Sequence, residues 1–230
     1  MSIISIFVLT VGENIIFESL DRLIPSCPPH KLTIMYDTCG RGIDYKYLDR
    51  LMERTNDVVV LTRDHGAAAA WGWATLYLEY DFLVLVAPDF LVHKGWFDRA
   101  FSYFNDPLVG IVGEAWRPSL GMGAAINDRD RGIDGICIVR KTAVNAAGGI
   151  SPAFNGRGPF HTEWHRRIAA NGYKYIAIDG LCDHGKADLQ HTGRDMQPRS
   201  IWEPELHLDN LTYLKMDKLK YTGYNWWGKK

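Results

Sequence analysis

Short, unbroken apolar runs alternate with helix-patterned stretches along the chain, and this alternation limits the fold more than any other feature. IISIFVLT (3–10), KLTIMYD (31–37), DVVVLT (57–62), FLVLVA (82–87) and VGIVGE (109–114) read as strands. Between them lie GENIIFESLDRLI (12–24), with apolar residues at helical spacing, YKYLDRLMER (45–54) and the Ala-rich HGAAAAWGWATLYLEY (65–80). Pro25, Pro28 and Pro29 close the first helix, because proline lacks the N–H that a helix interior needs. A further helix is expected from about Lys94 to Phe104. Strands that are apolar on both faces and separated by helices predict a mostly parallel sheet covered on both sides.

Beyond Glu114 the pattern loosens. AWRPSLGMGAAINDRDRG (115–132) is Gly-rich and charged and reads as a loop lying over a site. IDGICIVR (133–140) is a strand, KTAVNAAGG (141–149) a short helix closed by glycine, and GRGPFHTEWHRRIAANGYKYIAI (156–178) a Gly-rich loop, a helix ending at Gly172 and a strand. From about Lys186 the periodicity is weak, and the end, YNWWGKK (224–230), is aromatic and basic.

Composition removes several classes of function. With 230 residues, 47% of them hydrophobic, the chain suits one large domain or one domain with a tail. A net charge of −1 supplies no general field for nucleic acid. No apolar run approaches the roughly 20 residues of a membrane span. The four cysteines, Cys27, Cys39, Cys137 and Cys182, form no CxxC pair, which points to reduced thiols and a cytoplasmic protein.

In open parallel sheets, ligands bind beyond the carboxyl ends of the strands. Those ends carry Thr10 and Glu13 after the first strand, Asp37 after the second, Arg63, Asp64 and Gly66 after the third, and Asp89 after the fourth. Polar loops are common, yet four successive strand ends carry polar residues, three of them aspartates. Asp89 stands four or five residues too early to cap the helix expected near Lys94. A rigid carboxylate at a strand end suits Mg²⁺ or Mn²⁺, which take one or two carboxylates and fill the remaining positions with water and phosphate oxygens. Neither GxGxxG after the first strand nor GxxxxGK[ST] occurs, so a phosphate here calls for a metal ion rather than a glycine cradle.

The order of these pieces resembles family 2 glycosyltransferases of the GT-A fold. YDTCG (36–40) and LTRDHGAAAAWGWA (61–74) fall where that family binds the nucleotide. VLVAPDFLVHKGWFDRAF (84–101) is similar to its DxD metal motif and the Gly-Trp helix start that follows. The first acid of the motif is Ala87 here, and Asp89 is the one retained. GGISPAF (148–154) and RRIAANGYKY (166–175) are similar to its acceptor-side block. The family's acidic pair falls on Phe160 and His161, with Glu163 the nearest acid, so the general base stays open between Glu163 and His161.

The resemblance implies a single GT-A, Rossmann-like α/β domain over about 1–185. A donor half would occupy about 1–115 and an acceptor half about 116–185, with a tail from 186 to 230. It implies a metal-dependent, inverting transferase that moves a sugar from a nucleotide-diphosphate donor to an acceptor hydroxyl. Asp89 and His184 would hold Mn²⁺ or Mg²⁺. Thr10, Glu13, Asp37, Arg63, Asp64, Gly66 and Asp89 would line the donor site, and Trp116 and Arg117 the acceptor site. The acceptor is a glycan, a protein or a modified DNA base.

Two rival readings use the same residues. Ala87 and the missing acidic pair fit a non-catalytic nucleotide- or sugar-binding domain. His161 and His165 lie one helical turn apart with Glu163 between them, which raises a zinc hydrolase, although the offset is not that of HExxH.

Overall fold

The computed structural model describes residues 2–63, 66–115, 133–151, 153–154 and 160–184. The expected tail, 186–230, lies outside them. The main sheet is built from β1 (Ile4–Thr10), β2 (Lys31–Asp37), β3 (Val58–Leu61), β4 (Phe82–Val86), β6 (Val109–Ala115), β7 (Ile133–Arg140) and β8 (Lys174–Ile178), in the spatial order β3-β2-β1-β4-β7-β6-β8. A separate two-stranded ribbon pairs β5 (Phe90–Val92) with β9 (Cys182–His184).

β1, β2, β3 and β4 run parallel, and β8 runs parallel to β6. β7 is antiparallel to both β4 and β6. The expectation of a mostly parallel sheet therefore holds, and β7 is its one reversed member.

Among the described residues six helices cover the sheet. Alternation along the strands sends Ile4, Ile6, Val8, Phe82, Val84 and Val86 to one face. There they meet α1 (Ile15–Leu23), α2 (Tyr45–Met52) and α4 (Trp96–Phe101). Phe7, Leu83 and Leu85 point to the other face, against α3 (Gly66–Tyr77), α5 (Lys141–Ala147) and α6 (Phe160–Ala170). Each fully buried Leu, Ile or Phe contributes about 1.5–3 kcal/mol relative to exposure. The helix expected to reach Phe104 ends its α-helical part at Phe101 and tightens into a 3₁₀ turn over Ser102–Asn105.

Gly113 marks the closest packing in the sheet. A Cβ there would lie 2.4 Å from the Ile136 carbonyl oxygen and 2.3 Å from Ile133 Cγ2. Only glycine lets β6 and β7 meet at this irregular step in their register.

Candidate functional site

The strand order changes direction between β1 and β4, since β2 continues on one side and β4 on the other. That crevice, at the carboxyl ends of the strands, is where an open sheet of this kind receives a ligand. Thr10, Glu13, Asp37, Arg63, Gly66 and Asp89 all come to this edge, as expected from the strand ends. Asp64, Trp116 and Arg117 lie outside the described residues.

The first loop of the edge is tied internally. Thr10 Oγ1 donates to Glu13 Oε2 at 2.7 Å, and the Val11 N–H reaches the same oxygen at 2.9 Å. Tyr47 of α2 donates its hydroxyl to the Glu13 carbonyl at 3.0 Å and lies 2.6 Å from Thr10 Oγ1. Burial pushes the Tyr47 phenol well above its ordinary value, so it stays protonated as a donor. Asp44 caps α2 by accepting from the N–H groups of Lys46 and Tyr47, which fixes Tyr47 under the loop. Arg41 donates to the Val11 carbonyl. Glu13 thus shapes the loop, with one of its oxygens engaged in doing so.

At the end of β2, Asp37 is buried and its Oδ1 accepts from the Cys39 N–H at 2.8 Å. This bend puts Cys39 at φ +49°, a left-handed conformation uncommon for a side-chain-bearing residue. Beside it, Thr38 Oγ1 is buried and has no hydrogen-bond partner among the described residues. A buried hydroxyl left so is costly unless water or a ligand satisfies it. Thr38 lies in the YDTCG segment singled out from the sequence, but a threonine after a strand end carries no signal that assigns it a role of its own. Gly66 opens α3 at φ +74° just beyond β3, and the first N–H groups of a helix favour an anion.

Asp89 sits in the tight turn between β4 and β5, 9% exposed. The turn is closed by the Phe90 N–H donating to the Ala87 carbonyl at 3.3 Å, and the Ala87 N–H donates across to Gly135 of β7 at 2.7 Å. Ser19 of α1 fixes β5 from the helix side by donating to the Phe90 carbonyl at 2.8 Å. In the ribbon, Phe90 is the register partner of His184. His184 therefore comes from a distant part of the chain to pair with Phe90, the residue that follows Asp89 in sequence.

A carboxylate and an imidazole together match a borderline divalent ion such as Mn²⁺, with water and diphosphate oxygens completing its shell. Among the described residues no three His, Cys, Asp or Glu side chains form a group that could hold a metal ion.

Helix α6 carries both candidate bases in different surroundings. Glu163 is fully buried, and its oxygens accept from Arg167 Nε at 2.7 Å and Nη2 at 2.9 Å. Arg167 also donates to the carbonyls of Ala147 and Gly149, so the pair locks α6 onto the end of α5. His161 is half-buried, its ring 4.9 Å from that of Trp71 and 3.7 Å from that of Phe160. Desolvation pushes the His161 pKa down to about 3, so the resting imidazole is unprotonated. His165 is buried behind it, and burial followed by the neighbouring His161 holds it well below the ordinary range. Its Nδ1 accepts from the Ile133 N–H at 3.4 Å, which leaves the proton on Nε2. A hydrolytic zinc centre at His161, Glu163 and His165 finds no support in this geometry, because Glu163 is spent on Arg167.

Comparison with solved structures places the whole arrangement. A mannosyltransferase from Pyrobaculum calidifontis, solved with GDP-mannose and Mn²⁺, aligns over 95% of this chain and 73% of its own, at TM-score 0.64 and 18% identity. The architecture is GT-A. Glucosyl-3-phosphoglycerate synthase from Mycobacterium tuberculosis, solved with Mn²⁺, UDP-glucose and glycerol 3-phosphate, aligns over 94% of this chain and 80% of its own, at TM-score 0.63 and 12% identity. TarS from S. aureus aligns over 78% of this chain at TM-score 0.59 and 14% identity, and the chain spans only 36% of it. No family model matches the sequence, and no curated protein sequence matches it. What these GT-A structures share with the chain at such identities is the fold. No described helix is long and apolar enough to cross a membrane.

Proposed function

We propose that the chain is a metal-dependent glycosyltransferase that moves a sugar from a nucleoside diphosphate to an acceptor hydroxyl. One observation supports the reading: on a GT-A frame, the β5–β9 ribbon makes His184 the register partner of Phe90, the residue that follows Asp89 in sequence. Mn²⁺ or Mg²⁺ held by Asp89 and His184 would supply positive charge against the departing diphosphate. Asp37 accepts hydrogen bonds from the base or ribose of the donor, since a carboxylate can only accept. Thr38 and the first turn of α3, which opens at Gly66, add donors to the same pocket. Arg63 and Asp64 extend it, and Thr10 and Glu13 keep its floor in shape.

In the transfer step a bond forms between the acceptor oxygen and the anomeric carbon while the bond from that carbon to the diphosphate oxygen breaks. The acceptor's proton passes to the neutral imidazole of His161, and the electron pair of the broken bond leaves with the diphosphate. Attack from the face opposite the leaving group inverts the anomeric centre. His161 is the base of this reading because it occupies the position of the family's acidic pair and is half-exposed, whereas Glu163 is buried against Arg167. Trp116 and Arg117 are assigned to the acceptor side, and a glycan, a protein or a modified DNA base each remains a fitting acceptor class. Four free thiols suit a reducing compartment such as the cytoplasm.

The test is a thermal-shift panel of nucleoside diphosphates and nucleotide sugars with and without Mn²⁺, followed by turnover with the stabilising donor. Binding to the folded state raises the melting point by mass action, so the correct donor stands out in the presence of metal. A non-catalytic binding domain would show the shift without turnover.

A further inference from the structure

Glu114 is a buried acid that sequence reasoning treated as the tail of a strand. It stands near the carboxyl end of β6, 6% exposed. Its Oε1 accepts from the Gly180 N–H at 2.9 Å, and its Oε2 accepts from Leu181 at 2.5 Å and Cys182 at 3.3 Å. Three consecutive backbone donors therefore converge on one carboxylate. They belong to the turn that leads from β8 into β9, the strand that ends in His184. Hydrogen bonds to a charged acceptor are roughly twice as strong as neutral ones.

The other side of the same turn is also held. Arg99 of α4 donates to the carbonyls of Gly180 at 3.2 Å and Asp179 at 3.1 Å. The His93 N–H donates to the Leu181 carbonyl at 2.9 Å. Gly180 adopts φ +77°, which lets its N–H and carbonyl point to different partners. The carboxylate takes the N–H groups while Arg99 and His93 take the carbonyls, so the entry to β9 has one conformation. Because β9 is three residues long and, among the described residues, pairs with β5 alone, its placement depends on this entry.

We propose that Glu114 is the positioning residue of the proposed metal site: by gripping the β8–β9 turn it sets His184 at the register that pairs it with Phe90, the residue after Asp89. The inference rests on the function proposed above and names a group that acts through His184 without touching the metal. Groups that orient a metal ligand from behind typically matter about 10–100-fold in metal affinity.

The experiment measures binding of UDP, GDP, ADP, CDP and dTDP to the full chain by calorimetry, with and without Mn²⁺. The variants are Glu114→Gln, Arg99→Ala and His184→Ala. Glutamine keeps the shape of Glu114 but loses the charge and turns one acceptor into an N–H that opposes the backbone donors. For Glu114→Gln, the Mn²⁺-dependent part of nucleotide binding should weaken by about tenfold or more, while metal-free binding stays within about twofold of the parent. Should Glu114→Gln not fold, the exposed Arg99→Ala variant serves, loosening the same turn from its carbonyl side and weakening the same Mn²⁺-dependent part. Parent-like Mn²⁺ dependence in the folded variant, alongside its loss in His184→Ala, overturns the role of Glu114. Absence of Mn²⁺-dependent binding in the parent overturns the metal reading itself, and the inference falls with it.

Discussion

Glu163 and Arg167 neutralise each other one turn apart on α6, buried to 0% and 3% exposure, with both carboxylate oxygens engaged by the one guanidinium. The same guanidinium ties α6 to the carbonyls that end α5. A carboxylate so enclosed serves the frame, which is why His161 is the base of the proposed reaction.

This relationship separates two variants. Glu163→Gln leaves a buried arginine without its countercharge, and breaking such a pair costs about 3–5 kcal/mol. Chemical denaturation should show that loss. His161→Ala removes no ion pair and should leave the unfolding midpoint close to the parent's. Its turnover should fall about 10²–10⁴-fold, the usual worth of a general base. Parent-like kcat in His161→Ala would remove that residue from the mechanism.

Asp89→Asn should abolish the Mn²⁺-dependent thermal shift with nucleoside diphosphates and reduce turnover by at least about 10²-fold, the scale of lost electrostatic stabilisation of a leaving group. The fold should survive, because the main-chain bonds of the turn, from Phe90 to Ala87 and from Ala87 to Gly135, do not use the side chain. Full activity in Asp89→Asn would refute the metal site.

Acid should destabilise the protein through His165. Burial keeps its imidazole neutral in the folded state, while in the unfolded chain it titrates near 6.5. Below that pH the unfolded state binds a proton that the folded state refuses. Stability therefore falls as pH drops below 6.5, by up to about 1.4 kcal/mol per pH unit for this one group. Urea unfolding at a series of pH values should show that slope, and His165→Gln should reduce it, with His161 supplying a further part through its own lowered pKa. An unchanged slope in the variant would assign the acid sensitivity elsewhere.

Gly113→Ala should be strongly destabilising. Its new methyl would press on the Ile136 carbonyl oxygen, which is backbone and cannot swing aside. Overpacking of this kind costs about 1–3 kcal/mol. Gly40→Ala, with nothing within 4 Å of its Cβ but a φ of +76°, is the control for backbone strain alone. A Gly113→Ala midpoint no lower than that of Gly40→Ala would mean that the β6–β7 contact is looser than described.

Much of the frame was legible locally. KLTIMYD matches β2 from Lys31 to Asp37 because a parallel strand buried on both faces is a continuous apolar run bounded by polar residues. The order of strands and helices, and the polar residues at the strand ends, followed from the same signal. The β5–β9 ribbon was not read from the pattern. Phe90–Val92 merges with the apolar run before it, and Cys182–His184 has no strand-like composition. Their pairing joins residues about ninety positions apart, which no local pattern encodes. His184 itself was suggested only by the family resemblance. The role of Glu163 was half visible: a glutamate four residues before an arginine on a helix is the spacing of an ion pair. Its depth in the core depends on how α6 packs on α5, and that is set by the whole domain.

Ala115 and Ile133 face each other as register partners where β6 ends and β7 begins. The backbone thus departs from the sheet and returns to it at adjacent rungs, through a gateway whose width the sheet itself dictates. Anything inserted between those rungs closes on the same two posts, and lengthening such an insertion costs only about 0.6 kcal/mol per doubling. Evolution or a designer can therefore exchange what joins those two posts at little cost to the frame they stand in.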